Sequence, residues 1–206
     1  MSFTEREMAA REKVLGILAE QKVESYVAYG QAPTDEWHHV GQRDHVVPQP
    51  DLTKAWSVAG AAISYHHSHP DDRSLSPSDL RQLCNPGLEE IWAHCPSGIS
   101  YRAALPAAVS VNAFQHDHEH LNGTMSEPMA RDFVEACLGA GALPRQAYLD
   151  LSDRAFGQAL AEHGVLDFAG WDSGGGQLGP PNDPAYAKLV ALSRAVLDRK
   201  WPPPPI

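Results

Sequence analysis

The chain has 206 residues, 43% of them hydrophobic, which is enough to bury one core as a single domain or as one domain with an appended helical part. A formal charge of -10, with lysine and arginine scattered rather than clustered, gives no electrostatic footing for nucleic acid or an anionic membrane surface. Three cysteines, Cys84, Cys95 and Cys137, are too few and too widely spaced for a disulfide framework or a Cys-x-x-Cys metal site, so the thiols are expected to stay reduced.

In chain order, TEREMAAREKVLGILAEQK opens with Thr4 and Glu7 at capping-box spacing and repeats Val14, Leu15 and Leu18 at helical intervals. This predicts an amphipathic helix over residues 4–21. The N-terminus carries charge where an export signal would carry an apolar run, and no stretch reaches the roughly 20 apolar residues of a membrane span. A soluble, cytoplasmic chain is the expectation. VESYVAYG, EWHHV and HVV, separated by turn-rich segments, read as short antiparallel strands. WSVAGAAISYHH reads as a further, buried strand. In SPSDLRQLCNPG, Ser76 stands where an N-cap belongs, Pro77 at the first helical position, and Asn85-Pro86-Gly87 as the stop. EEIWAHCPSGISYRAAL reads as a hairpin about Pro96-Ser97-Gly98. Residues 1–105 therefore form an α+β unit.

The remainder, residues 106–206, reads as a mainly helical extension. QHDHEHLNGTMSEP is polar and reads as a loop, followed by helices around 128–138, 152–163 and 184–199, the last with Asp183 as cap and Pro184 at its start. GWDSGGGQLGPPNDP reads as an irregular Gly- and Pro-rich loop, and WPPPPI as an extended polyproline tail. His116, His118 and His120 alternate with acids, so an extended segment would place three imidazoles on one face. No second half with ligand spacing accompanies them, and a solvated loop is the reading preferred to a second metal site.

The densest chemistry lies in AAISYHHSHPDDRSLSPSDL. Alternation along a strand puts Ile63, Tyr65, His67 and His69 on one face and Ser64, His66 and Ser68 on the other. His67 and His69 converge, and paired neutral imidazoles suit zinc, which prefers a tetrahedral shell. Asp79, in the first turn of the helix that follows, supplies a third ligand and leaves the fourth position to water, as in hydrolytic zinc sites. His66, His38, His39 and His45, taken singly, read as structural.

The pattern His67-Ser68-His69-Pro70 followed by Ser76-Pro77-Ser78-Asp79 resembles the H-x-H-P…S-x-x-D signature of the JAMM (JAB/MPN+) metalloproteases, which include deubiquitinating isopeptidases and prokaryotic relatives. The resemblance covers roughly residues 10–105. It implies an MPN/JAB-like, cytidine-deaminase-like mixed sheet flanked by helices, one zinc per chain on His67, His69 and Asp79, and hydrolysis of a peptide or isopeptide bond in a protein or peptide substrate. It further implies that Glu24 in VESYVAYG is the catalytic base and that Ser76 donates to the developing oxyanion. The connection between His69 and Asp79 is one residue shorter than the usual form, which keeps Asp71 and Asp72 open as ligands. The first glycine of the family's glutamate motif is absent, which keeps Glu36 open as a rival base. Two other readings stand beside the protease: an MPN-fold scaffold without chemistry, and a JAMM-like bacterial toxin or effector domain.

Overall fold

The computed structural model describes residues 3–32, 34–43, 45–139, 143 and 145–200. Helix α1 runs Glu5–Gln21. The Thr4 hydroxyl accepts from the Glu7 amide and the Glu7 carboxylate accepts from the Thr4 amide, so two of the helix's unpaired donors are satisfied at once. Ala10, Val14 and Leu18 form its buried stripe, and Lys22, in a left-handed conformation (φ 57°), ends it.

Six strands follow: β1 (Ser25–Tyr29), β2 (Glu36–Val40), β3 (Ile63–Ser68), β4 (Leu88–His94), β5 (Ser100–Ala104) and β6 (Asp167–Trp171). They make one sheet in the order β2-β1-β3-β4-β5-β6. β3 and β4 are parallel and every other neighbouring pair is antiparallel, so the sheet is mixed and the class is α+β. The parallel pair needs a crossover. The chain makes it through α3 (Pro77–Arg81) and a short 3-10 turn, Gln82–Cys84.

The two faces of the sheet are covered differently. α1 packs on one face, where Ala10 and Val14 meet Val27. Against the other face lie Leu52 and Trp56 of α2 (Pro50–Trp56), Leu80 of α3, Phe114 and Leu121 of α4 (Val111–Ser126), and Phe156 and Leu160 of α6 (Arg145–Glu162). They share one apolar cluster with Tyr26, Tyr65, Ile91 and Tyr101 from the strands. A second cluster joins α5 (Pro128–Leu138), α6 and α7 (Pro184–Leu197) through Val134, Ala155, Tyr186, Leu189 and Leu192. The main core thus takes residues from both sides of position 105.

Several expectations need correction. Residues 45–47 are not a strand; they lead into α2, which Pro50 starts at the first helical turn, where a missing amide costs nothing. Trp56 ends that helix, so the buried strand begins only at Ile63. QHDHEH lies in helix α4, not a loop. Ser110 accepts from the Ala113 amide as its cap, and Phe114, His118 and Leu121 recur at helical spacing as its buried side. The segment read as an irregular loop begins inside a strand: β6 ends at Trp171 and pairs with β5 along its length. Gly170 packs closely there: a Cβ would stand 3.1 Å from the Tyr101 ring and from Leu178, and these side chains would have to give by a few tenths of an ångström. α6 starts at Arg145, earlier than expected, while the helix after Asp183 and the Pro96-Ser97-Gly98 hairpin are as read. The WPPPPI segment lies outside the described residues.

Candidate metal centre

β3 is buried along its whole length, so its alternation is enforced by packing on both faces. His67 points to the side of α3, and His69, just past the strand end, is held by its amide donating to the His94 carbonyl at 2.9 Å. The two Nε2 atoms stand 2.9 Å apart. Asp79 Oδ1 lies 3.5 Å from the first and Oδ2 3.5 Å from the second. Ser76 fixes the carboxylate: its amide and hydroxyl donate to Asp79 Oδ2 at 2.8 and 2.7 Å, while the Asp79 amide donates back to Ser76 Oγ. The helix cap and the ligand placement are one structure.

The protonation pattern follows from the second nitrogen of His69. Nδ1 donates to the Arg73 carbonyl at 2.9 Å, so Nε2 carries the lone pair whenever the ring is neutral. That lone pair, the His67 Nε2 and the Asp79 carboxylate face one another, with one ligand atom from each within 4.8 Å of the others. Acceptors gathered this closely repel unless a cation or proton lies among them. Burial lowers His67 to about 4, with the Asp79 charge opposing. Burial would lower His69 as well, but the hydrogen bond and charge of Asp79 raise it to about 9. Burial would raise Asp79, yet His67, His69 and Ser76 hold it far below the usual carboxylate range. The donor set, two imidazoles and a carboxylate, fits a divalent cation such as zinc.

The group lines a pocket of about 340 Å³ that opens to solvent. Glu24, just before β1, is buried at 8% exposure and lines the same pocket, as do Ser76 and Asp71. The Glu24 amide donates to the Gln42 carbonyl and its carbonyl accepts from the Gly41 amide, which pins this residue at the start of β1 beside the pocket. Glu36 is elsewhere. It pairs with Tyr29 at the opposite end of β1 and forms a 2.9 Å exposed ion pair with Lys13. Asp72 accepts from the Ser97 amide and supports the hairpin turn. Neither Asp71 nor Asp72 belongs to the converging group, which among the described residues is His67, His69 and Asp79 alone.

The three histidines of α4 do not converge. His116 is exposed beside Asp117, His118 is buried and donates to the Pro77 carbonyl at 2.7 Å, and His120 donates to the Val196 carbonyl at 3.1 Å. His118 therefore braces the start of α3, the helix that carries Asp79.

Sequence reading missed Arg73 and Asp153. Arg73, whose carbonyl orients His69, is clamped by α6: its guanidinium donates to Asp153 Oδ2 at 2.6 Å and lies 3.5 Å from Asp150. Burial raises Asp153 to about 6, with Arg73 opposing. Asp150 and Asp153 sit three apart on one helix face, but nothing in the sequence pairs them with Arg73. His45 and Tyr65 also line the pocket. Among the described residues, no helix is long and apolar enough to cross a membrane. Comparison with protein-family models, with curated proteins and with solved structures finds no match.

Proposed function

We propose that the chain is a zinc-dependent hydrolase of peptide or isopeptide bonds, with an MPN-like arrangement of its sheet and the catalytic plan of the JAMM proteases. One observation carries the reading: three metal-ligand groups converge in a pocket that also holds a carboxylate, Glu24, outside the ligand set. His67 and His69 would hold the ion through Nε2, and Asp79 through its carboxylate. The chemistry such an ion would supply is polarisation of a carbonyl and a lowering of the pKa of water to about 7.

The chain's own residues supply the rest. Glu24 takes the proton of the attacking water and returns it to the leaving amine. The Arg73 carbonyl keeps His69 in the tautomer that presents Nε2. Ser76 turns its hydroxyl from Asp79 toward the developing oxyanion, a type of contact that contributes about 2.7–4 kcal/mol where it has been removed by mutation.

The test separates base from ligand. Glu24→Gln is expected to retain metal and fold while turnover on a library of peptide and isopeptide-linked substrates falls by about 10²–10⁴-fold. Glu36→Gln, in its exposed ion pair, is expected to stay near the parent rate. An inactive Glu36→Gln beside an active Glu24→Gln would overturn the assignment.

A further inference from the structure

Beside the metal pocket runs a second and larger groove, about 600 Å³, within the range of about 300–1,000 Å³ in which ligand pockets fall. α1 contributes Leu15, Leu18 and Lys22, the connection after β2 contributes Arg43, and Pro70 and Pro96 close it. Pro70 lines both cavities. The groove's other walls are also chain neighbours of the site: Lys22 is two residues before Glu24, and Arg43 follows Gln42, whose carbonyl holds the Glu24 amide. Pro70 is the wall the two cavities have in common, so the groove adjoins the metal pocket.

Two features define what fits. The floor is aliphatic, which suits a large apolar side chain. Lys22 and Arg43 are exposed at the rim, and among the described residues neither forms an ion pair or a side-chain hydrogen bond. In a chain of formal charge -10, two rim cations without ion-pair partners make a local positive site. Pro70 and Pro96 offer no amide donor, so recognition there falls to side chains and charge and not to strand pairing.

We propose that this groove is the specificity site of the hydrolase and selects substrates whose chain beside the scissile bond carries a large apolar residue flanked by acidic ones. The inference rests on the hydrolase reading for its catalytic consequence. Its binding consequence stands apart from that reading.

Both are tested with two fluorescein-labelled peptide pools, leucine-rich segments flanked by glutamate or by lysine, and the zinc-loaded full chain. The parent is expected to cleave the glutamate pool about tenfold better, mostly through KM, and Lys22→Glu with Arg43→Glu to invert that preference. Equal preference in parent and double variant, with cleavage intact, overturns the groove and leaves the hydrolase standing. If neither pool is cleaved, the catalytic reading fails, and fluorescence anisotropy on the same peptides decides the groove. Tighter binding of the glutamate pool, weakened by salt and by the double variant, supports it; indifferent binding overturns it. Should glutamate disturb the left-handed cap at position 22, Lys22→Asn with Arg43→Gln is read in the same way, with the preference abolished instead of inverted.

Discussion

β3 carries histidines on both faces, and the two groups they build differ in one respect. On the α1 face, His66 lies against His94 of β4, and the hydrogen bonds run in a single direction. Ser64 donates to Glu90 at 2.6 Å, so it accepts from His66 Nε2; His66 Nδ1 then accepts from His94 Nε2 at 3.0 Å, and His94 Nδ1 from Ser100 at 2.8 Å. Arg11 and Arg102 close the two ends, donating to Ser100 and Glu90. Every donor meets an acceptor, and both rings are neutral. On the other face, His67 Nε2, His69 Nε2 and the Asp79 carboxylate converge on one point, where a proton or a cation has to lie among them. Two histidines side by side make a structural network when donors and acceptors alternate along a chain, and a candidate cation site when their nitrogens and a carboxylate converge on one point.

That contrast can be broken by mutating each face. The largest expected effect on stability lies on the satisfied face. His66→Ala strands Ser64 and His94 in a buried site, a loss of about 3 kcal/mol in denaturant unfolding, with metal content unchanged. A variant as stable as the parent would show that the alternating chain contributes nothing.

On the face of the candidate metal site the sharper test lies away from His67, His69 and Asp79. Arg73→Gln or Asp153→Asn loosens the clamp on the loop that orients His69, and metal affinity is expected to fall about 10–100-fold with stability little changed. Equal effects of Asp153→Asn on affinity and on unfolding would make the pair merely structural.

The dependence on pH tests the satisfied face again. Burial lowers His66 to about 3 and His94 well below its ordinary value, so in the folded state both stay neutral where the unfolded chain protonates near 6.5. The unfolded state then binds more protons, and stability should fall as pH drops below about 6.5. The slope of unfolding free energy between pH 6.5 and 4 checks this. It should be shallower in His66→Ala, which has one such group fewer.

Those parts of the molecule that local chemistry decides are legible in the sequence: the capping box of α1, the strict alternation of β3, and the Ser76–Asp79 cap that also turns the Asp79 carboxylate toward His67 and His69. What escaped depended on distant partners. α4 looked like a loop because its exposed side is polar, and its buried side, Phe114, His118 and Leu121, is apolar only in part. β6 is a strand because β5 lies beside it, and its short run with an aspartate at its start and Gly170 within it carries little intrinsic strand signal. Arg73 acquires its role only when α6 brings Asp150 and Asp153 across the fold. His66 and His94, which are 28 residues apart, meet through the parallel pairing of β3 and β4.

Elemental analysis of the purified chain after zinc loading and exhaustive dialysis tests the central claim most directly. The account predicts one zinc per chain in the parent, almost none in His67→Ala and His69→Ala, and the parent value in the triple alanine variant of His116, His118 and His120. A metal-free parent, zinc undiminished in His67→Ala and His69→Ala, or zinc lost with the α4 histidines would contradict it.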